Sequence, residues 1–191
     1  MNSRTTHALL GALAAAAFAS PSTMRAQDTA PLAGARSPAY APDGRLAVAV
    51  EGDLYVQQSA GGAWTRLTTG AAWDRDPAWT RDGSAIVFSS DRGGRFSLWS
   101  VPVSGGEPQR LTNAKDDDSA PSIAADGSIA FVRGFGGAAR VWLRAADGSE
   151  NRLTNRESAE LAPAWSPDGS DRKSTRLNSS HVSESRMPSS A

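Results

Sequence analysis

An internal repeat anchored on proline limits what this chain can fold into more than any other feature. Pro38, Pro77, Pro121 and Pro163 stand 39, 44 and 42 residues apart. Two residues after each comes Tyr40, Trp79, Ile123 or Trp165. Further on lies an Asp-Gly pair: Asp43-Gly44, Asp82-Gly83, Asp126-Gly127 or Asp168-Gly169. Three copies close on Arg-Leu-Thr, at Arg66-Leu67-Thr68, Arg110-Leu111-Thr112 and Arg152-Leu153-Thr154. A fixed period of this size means one supersecondary unit stacked on copies of itself.

Each unit reads as β throughout. In the second copy Pro77-Ala78-Trp79-Thr80 is a short extended run, and Asp82-Gly83 is a tight turn because Gly accepts positive φ. Ala85-Ile86-Val87-Phe88 follows, rich in β-formers. Asp91-Arg92-Gly93-Gly94 turns the chain into Phe96-Ser97-Leu98-Trp99-Ser100-Val101, and Gln109-Arg110-Leu111-Thr112 closes the unit. Four short antiparallel strands in about 40–45 residues make one blade of a β-propeller. The fold class expected is all-β: an incomplete propeller of about three four-stranded antiparallel blades plus one strand. Blades pack face to face, so the aromatic residues at matching positions are expected in the core. These are Tyr40, Trp79 and Trp165 on first strands and Tyr55, Trp99 and Trp142 on third strands.

The ends differ from the body. Arg4 and His7 precede a short apolar run over residues 8–19, and Ala17-Phe18-Ala19 is a small-residue exit. These are the three parts of a secretory signal peptide, expected over residues 1–26. As helix the run would rise about 18 Å, short of a hydrocarbon core of about 30 Å. A linker over 27–36 leads to the repeat over 37–170. Residues 171–191 are polar and rich in Ser and Arg, and are expected to be a disordered, spurious tail.

Charge and residue inventory narrow the function. The chain carries 20 basic and 20 acidic side chains. Residues 27–170 hold 14 of the former and 18 of the latter, a mild negative excess that disfavours nucleic acid as partner. There is no Cys, and the two histidines, His7 and His181, lie outside the body. The body thus has no thiol nucleophile or imidazole base. No catalytic, cofactor or metal residues are expected.

The string Pro163-Ala164-Trp165-Ser166-Pro167-Asp168-Gly169 resembles the signature of PD40 repeats, the WD40-like blades of the TolB propeller family. Ser89-Ser90-Asp91-Arg92-Gly93 is similar to that family's turn after the second strand, and Arg110-Leu111-Thr112 to its closing strand. The third copy departs, with Ala124-Ala125 where the family has Ser-Pro. The resemblance implies an exported, periplasmic scaffold propeller that binds envelope proteins and has no catalysis of its own. The same blades also occur beside peptidase and amidohydrolase domains. The alternative is therefore the propeller segment of a truncated exported hydrolase.

One pattern is a candidate for binding. Asp74, Asp118 and Glu160 each stand three residues before an anchor proline, where the first copy has Ala35. At the mouth of a central channel they would form part of a carboxylate ring that attracts a cation or a basic segment. Alternatively they cap local turns through backbone N–H groups. Fewer blades than close a ring would leave faces and edges open to self-association.

Overall fold

The computed structural model describes residues 32–155, 159–165 and 172–176. The first sheet is β1 (Arg36–Tyr40), β2 (Leu46–Val50), β3 (Asp53–Gln57) and β4 (Trp64–Arg66). The second is β5 (Asp74–Trp79), β6 (Ala85–Ser90), β7 (Ser97–Pro102) and β8 (Gln109–Arg110). The third is β9 (Asp118–Ile123), β10 (Ile129–Arg133), β11 (Arg140–Arg144) and β12 (Glu150–Arg152), and β13 (Glu160–Trp165) pairs with β14 (Arg172–Arg176). Strand order within each sheet follows the chain, and every pairing is antiparallel. The strands β1, β5, β9 and β13 touch in succession, so the first strand of each unit is the innermost. The only helical turn among the described residues is a 3-10 turn at Gly136–Ala138.

β14 differs from expectation, since it falls within the stretch read as a disordered tail. Backbone pairing explains it. The edge of β13 offers unpaired N–H and C=O groups, and a polar strand satisfies them as well as an apolar one. The expected signal peptide and the first half of the linker lie outside the described residues, as does the rest of the tail.

Alternation along β6 shows how a middle unit serves two cores. Ile86 and Phe88 pack with Leu54, Val56 and Trp79 between the first and second sheets. Val87, one step out of phase, joins Leu98, Ile129 and Phe131 between the second and third. Every one of these side chains is under a tenth exposed, and burying each contributes about 1.5–3 kcal/mol. Tyr40 departs from expectation. It is 72% exposed, because among the described residues no sheet before β1 covers it.

Two local devices recur in each unit. The residue before each anchor proline, Ser37, Asp76, Ala120 or Ala162, has φ between 50° and 52°. Strand register slips at the same place, so each innermost strand carries a bulge there. Proline has no N–H for the ladder, and the bulge removes the need for one. The closing Arg-Leu-Thr acts as a clasp. Thr68, Thr112 and Thr154 each accept the backbone N–H of Leu54, Leu98 or Val141 at 2.9–3.0 Å. Arg66, Arg110 and Arg152 each donate Nε to the carbonyl of that threonine, and the leucine N–H returns to the third strand.

Candidate functional site

The innermost strands begin at one end of the array, where the connections from β2 to β3, β6 to β7 and β10 to β11 also turn. There the candidate acids are found. Asp74 opens β5 and is 1% exposed. Both its carboxylate oxygens accept from Nη2 of Arg92, at 2.8 and 2.6 Å. Arg92 Nε donates to Ser90 Oγ at 2.9 Å, and its guanidinium lies 5.2 and 5.4 Å from the ring centroids of Phe88 and Trp99.

Asp118 repeats the arrangement on β9, fully buried. Arg133 grips it in a fork, Nε to Oδ1 at 2.6 Å and Nη2 to Oδ2 at 2.9 Å, and its Nη1 reaches Glu150 at 2.8 Å. The same guanidinium sits 5.0 Å from the Phe131 ring and 4.6 Å from that of Trp142. Burial opposes the Arg133 charge, but the hydrogen bonds and charges of Asp118 and Glu150 outweigh it and raise its pKa above the usual arginine value. Glu160 opens β13 in register with Arg176, as Asp118 opens β9 in register with Arg133.

A carboxylate ring open to a cation therefore gives way, at Asp74 and Asp118, to two buried ion pairs that hold the innermost strand to the turn after β6 and to the end of β10. The arginines are the residues that sequence reasoning missed. A signal for them exists: Arg92-Gly93 lies just after β6 and Arg133-Gly134 at the end of β10, in the two copies that have Asp before the anchor. The copy with Ala35 has Glu51-Gly52 there. In the first sheet the ion pair moves elsewhere, to Asp53 and Arg66.

The same end of the array carries unusual exposure. Phe135 is 91% exposed and Trp73 54%. Phe135 borders a cleft of about 340 Å³ that Arg75, Asp76, Val132 and Leu161 also line. Arg75 lies 3.9 Å from the Phe96 ring centroid, with Asp76 3.7 Å away and no hydrogen bond to its buried Nε. At the opposite end stand the turn aspartates. Asp82 is held down to about 2 by the Ser84 N–H, then by the hydroxyls of Thr80 and Ser84. Asp126 and Asp147 are lowered chiefly by the N–H of Ser128 and Ser149, and Asp43 chiefly by the Arg45 side chain. Among the described residues, no group of three or more His, Asp or Glu is placed to hold a metal ion. No helix among them is long and apolar enough to cross a membrane.

Sheets of four antiparallel strands, stacked face to face along their innermost strands, define the class: a run of β-propeller blades. The family model for the TolB beta propeller domain, PD40, matches residues 22–172. The chain belongs to that family. Among curated relatives, the Tol-Pal system protein TolB of Francisella tularensis is 31% identical over 70 residues, 35% of this chain and 16% of the relative. An uncharacterized protein of Agrobacterium fabrum is 30% identical over 132 residues, 62% of this chain and 45% of the relative. The structure of a TolB-like protein from Agrobacterium tumefaciens superposes with a TM-score of 0.62 at 28% identity, covering 71% of this chain and 51% of that one. A puromycin-hydrolyzing peptidase of Mycobacterium tuberculosis reaches 0.57 at 19% identity, covering 68% and 24%, and shares the fold alone. The chain thus spans about half or less of the length of these relatives.

Proposed function

We propose that this chain is a protein-binding scaffold, exported to the periplasm by its N-terminal segment, and that it recognises envelope proteins without catalysing a reaction. The observation that carries the reading is the end of the array bearing Phe135 and Trp73. Two large apolar side chains stand in solvent there, Phe135 bordering one cleft and Trp73 another, and Arg75 and Asp76 line both. Exposed aromatics around a pocket are the usual anchors of protein interfaces. The charged groups nearest the innermost strands support the reading too. Asp74, Asp118, Arg92 and Arg133 are committed to one another, which suits holding a shape better than moving protons. The name of the Tol-Pal relative assigns that protein to the Tol-Pal system, which agrees with a binding role here.

A photo-crosslinking residue placed at position 135 in cells tests this. The expected adduct is with an envelope protein and disappears when residues 1–26 are deleted. Adducts confined to cytoplasmic proteins would refute the reading, as would turnover of peptide, ester or amide substrates by the purified chain.

A further inference from the structure

Successive sheets meet on a shared plan, and one junction lacks the piece that fills it. Between the first and second sheets Trp79 is 7% exposed and donates its indole N–H to the Ala39 carbonyl at 2.9 Å. Arg45 lies 4.7 Å from the same ring and donates to the Gly83 carbonyl at 2.7 Å. Between the third sheet and β13 the indole bond recurs, from Trp165 to the carbonyl of Ser122 at 3.0 Å. Ala39 and Ser122 occupy the same place, one residue after the anchor proline. Between the second and third sheets the indole position holds Ile123, and the counterpart of Arg45 is Ser84. The aromatic plane of the other two junctions is missing here, while the cation above it belongs to the first junction alone, its counterparts being Ser84 and Ser128.

What remains is a cleft of about 490 Å³, within the usual range of about 300–1,000 Å³ for small-molecule sites. Val87, Ile123 and Ile129 form an apolar floor. Asp82 and Asp126 stand exposed at the rim with Arg81, leaving a net rim charge of −1. A space left by a smaller side chain takes up molecules shaped like the missing group when its walls are apolar. The missing group here is an indole, and the net negative rim of Asp82, Asp126 and Arg81 suits a cation beside it.

We propose that this inter-blade cleft binds a planar aromatic ammonium compound. The ring lies over Ile123 in the place that Trp79 and Trp165 fill at the other junctions, and the ammonium faces Asp82 and Asp126.

Tryptamine, titrated into the full chain and followed by NMR and calorimetry, is the probe. Saturable binding with a Kd of about 1 mM is expected of so small a ligand. Shifts should centre on Val87, Ile123 and Ile129. Indole-3-propionate, of the same shape and opposite charge, should bind at least about tenfold more weakly. Ile123→Trp should abolish tryptamine binding. Because it restores the residue of the neighbouring junctions, it should also raise the melting temperature. Should that variant fold poorly, Asp82→Asn with Asp126→Asn supplies an independent test, predicted to weaken tryptamine by about tenfold while leaving neutral indole unchanged. No saturation by about 10 mM would overturn the proposal. So would equal affinity for the two charges, or undiminished binding by Ile123→Trp.

Discussion

Removing one partner of the Asp118–Arg133 pair tests whether buried ion pairs, rather than an open ring of acids, hold the innermost strands. In Arg133→Met the Asp118 carboxylate, fully buried, loses two short charge-assisted hydrogen bonds and keeps no arginine. Breaking a buried pair from one side costs about 3–5 kcal/mol, and this variant belongs at the upper end. In Asp118→Ala the guanidinium still reaches Glu150, itself only a quarter exposed, so the loss should be nearer about 3 kcal/mol. For a chain of this size that lowers Tm by roughly 6–20 °C across the range, at about 2–4 °C per kcal/mol. The double variant removes both charges together and should cost less than the two losses added, with a coupling of about 2 kcal/mol. Urea titration followed by tryptophan fluorescence is a suitable assay, since the Trp142 ring lies 4.6 Å from the Arg133 guanidinium. A loss below about 1 kcal/mol for Asp118→Ala, or strict additivity in the double variant, would refute the reasoning.

Other expectations concern the repeated devices. Thr112→Val leaves the buried Leu98 N–H without its acceptor and should cost about 1–3 kcal/mol by denaturant titration, whereas Thr112→Ser should cost less. Ala120 sits at φ 51°, so Ala120→Gly should be neutral or gain up to about 1 kcal/mol, unlike glycine elsewhere in a strand. Trp79→Ala should cost about 3–5 kcal/mol, while the same change at Tyr40 should stay within about 0.5 kcal/mol. Stability should fall with acid. The folded pKa of Asp82 lies below the ordinary 3.8, at about 2, so its contribution is complete above the ordinary value and is lost as pH drops toward the folded one. Asp82→Asn should flatten melting temperature against pH in that window.

How much of this was legible depended on whether a residue acts within its own unit or across units. Asp43, Asp82 and Asp126 with the following glycines mark turns by their own local chemistry, and those turns stand where the dipeptides do. The Arg-Leu-Thr repeats likewise mark the closing of each unit. Tyr40 and Trp79 are equivalent within the repeat, yet one is exposed and the other buried, because burial depends on the sheet before. The partners of Asp74 and Asp118 lie 18 and 15 residues away, and only a comparison of copies at that separation links them. Left-handed backbone before a proline was not legible at all. Ser, Asp and Ala give no sign of it, and the bulge exists only once strands pair.

The clasp has a further consequence for lineage. Because each of the outer strands β4, β8 and β12 is tied back to the third strand of its own unit, a cut in the gene just past a clasp threonine separates segments that share no broken ladder. Duplication or deletion of one such stretch would change the number of units while leaving each internally complete, and drift could then modify single junctions. Ile123, where the neighbouring junctions have tryptophan, shows that a single junction can differ while each unit keeps its own ladder.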